Sequence, residues 1–296
     1  MHKYMRAIGF SEYTDRTNLK ELIKSVVMNA DYREYTLNDD NVMLGEFCKN
    51  FTEELGISVC GEFDEDDKFN YEYYFPFILG RGITTGEDVS VERHSYRESY
   101  AGVCDDLNVG LTLIFYLQNI IPYVKEKVCG RLPVRGTTVT MSALSVSGTI
   151  MMPIKKDEFQ KSQVRKNSDN RTKLLAAARQ GDEEAIETLT LEDMDMYTTI
   201  SKKIQKEDVF SIVDTYFMPA GVECDQYSIL GEIMECRLVT NSITQEEIFI
   251  LTICSNELTF DVAINKIDLL GEPQAGRRFK GNIWLQGYIN FPEEFA

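Results

Sequence analysis

Histidine is nearly missing from this chain. His2 and His94 are the only two in 296 residues, so a metal centre or an acid–base system built on imidazole has little to draw on. Positive charge is also in deficit, with 31 Lys and Arg against 48 Asp and Glu and a formal net charge of −17. A surface that neutralises phosphates needs an excess of Lys and Arg, so nucleic acid is not an expected partner. An anionic membrane surface is disfavoured for the same reason. The negative excess reads instead as solubility through self-repulsion. Long hydrophobic runs are lacking too. The longest, LTLIFYLQNIIPYV, is interrupted by Gln118, Asn119 and Pro122 and is too short to span a bilayer. The opening MHKYMRAIGF has no apolar core of the kind a signal peptide needs.

Cysteine occurs seven times, an odd number, and never with C-x-x-C spacing. That excludes an obvious disulfide framework or zinc knuckle and predicts reduced thiols in a cytoplasmic protein. The sequence contains no G-x-S-x-G elbow, no G-x-G-x-x-G ahead of a helix and no G-x-x-x-x-G-K-[ST] loop. No nucleophile, cofactor or metal is therefore expected.

Aromatic residues are plentiful, with 16 Phe and 15 Tyr, and flat side chains pack well across strands. Near the start, Leu19, Leu22, Ile23, Val26, Val27 and Ala30 form one helical stripe that Asp15 or Asn18 can cap. GISVCGEF and FNYEYYF flank the polar DEDDK. They predict an antiparallel hairpin that sets Phe63 opposite Phe69 and Gly61 opposite Tyr71. Further strands are expected in DVSVERH, ESYAGVC and GLTLIFYLQN, and a short helix over 122–128. In TTVTMSALSVSGTIMM the apolar parity slips near Ala143–Leu144, as one inserted residue would make it do. A basic, polar linker covers 155–173. Gly181 ends one helix, Asp182 starts a second, and Thr190 with Asp193 a third. From Glu207 onward strands return: YSILGEIMECRLV, EEIFILTIC, LTFDVAIN and FKGNIWLQGYINF, with VFSIVDTYF as a fifth candidate. The expected fold class is α+β. A mostly antiparallel sheet domain with a packed helix spans 1–155, a polar linker and helical connector 156–206, and a small β-barrel-like domain, of OB-like form, 207–296.

Two stretches carry candidate chemistry. In ERHSYRESY, His94 and Glu98 share one strand face and could form an acid–base pair; the competing account is a half-exposed strand with ordinary polar residues. In GRRFKGNIWLQGYINF, Ile283, Leu285, Gly287, Ile289 and Phe291 share a face assigned to the barrel interior. Arg278, Lys280, Trp284, Gln286 and Tyr288 take the other parity, an aromatic and cationic surface for a ligand or partner. The structural alternative packs Trp284 beneath the helical region or the first domain. The four acids DEDD at 64–67 lack calcium-loop spacing and read as a solvated turn, and GRGITTG reads likewise as a turn.

The segments MHKYMRAIGF, QKEDVFSIVDTYFMPAGVECDQYSILGEI and GRRFKGNIWLQG together resemble a family of clostridial proteins of unknown function, over the whole chain. The resemblance implies a bacterial cytosolic origin and brings no catalytic residue with it. The function expected is a non-catalytic binding or adaptor protein that engages a protein or small molecule through the face around Trp284. A hydrolase with an inter-domain site at His94 and Glu98 is the alternative.

Overall fold

The computed structural model describes residues 2–13, 15–87, 89–93, 100–106, 111–132, 136–154, 170, 173–178, 180–204, 209–221 and 224–292. The fold is α+β and mostly strand. A 3-10 turn (Lys3–Ile8) and helix α1 (Arg16–Met28) precede an antiparallel meander of β1 (Tyr32–Leu37), β2 (Met43–Asn50), β3 (Leu55–Phe63) and β4 (Phe69–Ile78). Helix α1 buries Leu22, Ile23 and Val26, the centre of its expected stripe. Asp15 occupies the N-cap position, but its side chain makes no capping hydrogen bond.

The β3–β4 hairpin has the expected register, Phe63 opposite Phe69 and Gly61 opposite Tyr71. Glycine is needed at position 61 because of the backbone that faces it. A bulge follows Cys60, and a Cβ at position 61 would run into the Asn70 carbonyl and lie 2.6 Å from the Tyr71 Cα.

The remaining strands form one large sheet: β5 (Val89–Arg93), β6 (Tyr100–Asp106), β7 (Leu111–Leu117), β8 (Thr138–Met151), β9 (Tyr216–Pro219), β10 (Gln226–Thr240), β11 (Glu247–Ser255), β12 (Leu258–Asn265), β13 (Leu269–Leu270) and β14 (Arg278–Asn290). Five of them close on themselves in the order β8-β12-β11-β10-β14, because β14 pairs with β8 as well as with β10. Closure leaves these strands without free edges. β8 precedes the helical segment in the chain, so the barrel draws its strands from both sides of that segment. Beyond the barrel, β14 also pairs with β7 at Gln286 and Gly287, which joins the β5–β7 ribbon to it.

β8 does carry an extra residue, but not at Ala143–Leu144. The register slips between Gly148 and Ser145, opposite Gly281 and Ile283. Residues 139–145 are buried at both parities, so the apparent change of phase marks a strand covered on both faces.

Helix α2 (Ile120–Val128) starts two residues ahead of its expected onset. Helix α3 (Glu183–Ile204) begins at Asp182, whose Oδ1 accepts the Ala185 N–H at 3.1 Å, and Gly181 takes the left-handed conformation that ends the preceding helical residues. No third helix starts at Thr190. Its hydroxyl donates to the Ile186 carbonyl one turn back, and α3 runs on unbroken. VFSIVDTYF divides into a short helix, α4 (Val209–Ile212), and the start of β9. Most of the basic 155–173 linker lies outside the described residues. No described helix is long and apolar enough to cross a membrane.

Candidate functional site

Strand alternation brings one polar set to the inner face of the meander. Glu34 on β1 lies directly opposite Glu46 on β2, which lies opposite Cys60 on β3. The next row along holds Tyr32, Cys48, Ser58 and Phe75. Like charges directly opposite on paired strands are unfavourable, so this pair of carboxyls is a cost that the surroundings must meet.

Over this face lies a cleft of about 220 Å³. Its floor includes Glu46, Cys48, Ser58, Phe75 and Phe77; its far wall is Leu79, Gln118, Asn119 and Tyr288. Gly56 lets the Phe77 ring lie flat on the sheet, because a Cβ there would overlap the ring. An adjoining cavity of about 490 Å³ shares Glu34, Asn119 and Tyr288 and adds Lys125 and Glu126 from α2.

The wall is held by amide networks. Gln118 Nε2 donates to the Ile78 carbonyl and to Gln286 Oε1, each at 2.9 Å. Gln286 in turn donates to the Pro76 carbonyl at 2.8 Å and accepts the Ile78 N–H. Both glutamines thereby stitch the end of β4 to β7 and β14. Asn119 imitates a strand partner, donating to the Ile289 carbonyl and accepting its N–H. After these bonds Gln118 Oε1 has no partner, although the residue is only 6% exposed; the buried Asn50 Oδ1 has none either. Both residues line the cleft.

Glu46 is 5% exposed. Its Oε1 accepts the Ser58 hydroxyl at 2.6 Å and the Cys48 thiol at 3.7 Å. Loss of water raises its carboxyl from 4.5 to about 7; the Ser58 bond opposes that rise and the charge of Glu34 adds to it. Glu34 stands on the exposed edge strand, yet partial loss of water raises its carboxyl as well, against the pull of Lys125. Burial, then the charge of Glu46, pushes the Cys48 and Cys60 thiols upward. These thiols stay protonated, which removes them as nucleophiles. The Tyr288 phenol is likewise raised by burial, then by Glu34 and Glu46.

The expected aromatic and cationic surface is not open. Trp284 is 4% exposed. Its ring stacks on Tyr4 at 5.2 Å and meets His2 and Tyr116, while Nε1 donates to Asp225 at 2.6 Å. The outward orientation assigned to the indole is therefore corrected: the N-terminal 3-10 turn covers that side of β14. The same burial lowers the His2 imidazole to about 4. Arg278 is buried too, its guanidinium donating to the carbonyls of Met152, Val213, Asp214 and Phe210. Lys280 sits 4.1 Å from the centre of the Phe210 ring. Of the five residues, Tyr288 lines the cleft and Gln286 stands one layer behind it. His94 and Glu98 lie outside the described residues. Among the described residues no group of three His, Cys, Asp or Glu is placed to hold a metal.

Sequence reasoning missed Glu34, Glu46 and Gln118. The signal available was a lone acid inside the apolar run MLGEFCKN, on a strand parity otherwise bound for the interior.

Fold and site together define a strand-rich protein in which a closed five-stranded barrel carries a smaller antiparallel sheet, with an acid-lined cleft between the two. The chain belongs to the family described as a domain of unknown function from E. rectale (DUF3881), which it matches over residues 5–287. E. rectale is a Firmicutes, so the expected kinship with a family of unknown function holds along the chain. No curated protein and no solved structure matches it.

Proposed function

We propose that this is a small-molecule-binding protein whose site is the cleft between the meander and the barrel. The binding role expected from the sequence is kept, but its location moves from the Trp284 face to the cavity that Tyr288 shares. One observation carries the reading: a buried carboxyl, Glu46, and an unpartnered buried carbonyl, Gln118 Oε1, line one cleft. A protein gains no stability from such groups; they are retained where they meet something. An apolar cavity of about 150 Å³ accommodates benzene, so about 220 Å³ suits one ring with a short substituent. The closed five-stranded barrel supports the OB-like description, and the family's source and seven free cysteines support a bacterial cytoplasmic setting.

The test uses benzyl alcohol, benzylamine and benzoate as probes, followed by ligand-observed NMR. At least one should bind the parent chain, and Leu79→Trp, at the exposed rim, should weaken it about tenfold or more without loss of fold. Binding by none of the three, or binding that Leu79→Trp leaves unchanged, would refute the cleft as a ligand site.

A further inference from the structure

We infer that the cleft selects a small organic cation: a primary ammonium head on an aromatic or aliphatic body. This rests on the binding reading above and adds the chemistry of the ligand.

The cleft is lined by two carboxyl side chains, Glu34 and Glu46, and by two amide oxygens without partners, on Asn50 and Gln118. The Gln118 amide cannot simply be turned to offer its N–H groups, because Nε2 is engaged by the Ile78 carbonyl and by Gln286 Oε1. The Ser58 hydroxyl is spent on Glu46, and both polar atoms of Asn119 are spent on Ile289. No Lys, Arg or His lines the cleft; Lys125 lines the adjoining cavity instead. A surface with two carboxyls and two unpartnered amide oxygens is satisfied by a ligand that brings several donors and positive charge. An ammonium group brings three donors, and its charge offsets the repulsion between the two opposed carboxyls. Aromatic rings on the floor and rim, Phe75, Phe77 and Tyr288, suit both the apolar body and the cation itself. An anionic head would meet both carboxyls with no cation to offset them; the Tyr32 and Tyr288 hydroxyls and the Asn50 amide N–H groups are the donors the lining keeps for it.

The probes are the same three, now compared by titration calorimetry at neutral pH on the full chain. Benzylamine should bind about tenfold or more tightly than benzyl alcohol, and benzoate not measurably. In Glu34→Gln, on the exposed edge strand, the preference should shrink. In Glu34→Gln/Glu46→Gln it should vanish while benzyl alcohol still binds. Benzyl alcohol binding as well as benzylamine, or an amine preference that survives both substitutions, would overturn the inference and leave the cleft standing as a ligand site. Failure of all three probes on the parent chain would overturn the cleft itself.

Discussion

Glu46→Gln puts the central residue of the cleft to a test that needs no ligand. The folded chain holds this carboxyl at about 7, against an ordinary value of 4.5. Between those values the folded state keeps a proton that the unfolded state has released. Stability must therefore fall as pH rises through this window, and level off above about 7. At about 1.4 kcal/mol per unit of pKa, the penalty at alkaline pH is about 3 kcal/mol. Glutamine has the shape of the protonated acid and keeps an oxygen for the Ser58 hydroxyl. Glu46→Gln should therefore be the more stable protein at pH ~8, by up to about 3 kcal/mol, with the difference closing toward pH ~4.5. Urea denaturation of both proteins across this range measures it directly. Because Glu34 contributes to the rise, Glu34→Gln should give a smaller gain in the same direction. A Glu46→Gln protein that is no more stable at alkaline pH, or a difference that ignores pH, would refute the account of a desolvated carboxyl.

Other outcomes follow from the packing. Trp284→Ala should cost about 3–5 kcal/mol in denaturant unfolding, as loss of a buried aromatic does; a surface role would leave stability almost unchanged. Arg278→Met removes the donor that four backbone carbonyls share on either side of residues 155–209. It should cost about 3 kcal/mol or more and hasten limited proteolysis near Met152 and Phe210. Gly61→Ala should destabilise by about 2 kcal/mol or more, because the added methyl meets backbone rather than a yielding side chain. Asp182→Ala should weaken helix α3 by about 1 kcal/mol, read as loss of helical ellipticity at raised temperature.

Local pattern was legible where the physics is local. Alternation along GISVCGEF and FNYEYYF set the register at the hairpin tip, Phe63 against Phe69 and Gly61 against Tyr71, while the bulge after Cys60 shifts the rest by one residue. Gly181 and Asp182 announced a helix end and a helix start through backbone conformation and capping, which depend on a few neighbouring residues. Even Thr190–Asp193 misled for a local reason: a hydroxyl that could cap a new helix instead bonds back within the existing one.

Alternation in FKGNIWLQGYINF separates two faces but does not say which meets water. That depends on what lands on each. Tyr4 and His2, some 280 positions away in the chain, cover Trp284, and β4 covers Gln286. The cleft is equally non-local. Its carboxyls come from the meander, Gln118 and Asn119 from the two-residue link between β7 and α2, and Tyr288 from β14. Composition and short-range periodicity thus determined a strand-rich, acidic chain and most of its elements, because those follow from burial preference and backbone geometry within a few residues. Tertiary structure alone decided that β8 would close the barrel, that the indole would be covered and that Glu46 would face a cavity, because each depends on pairings between segments far apart in the sequence.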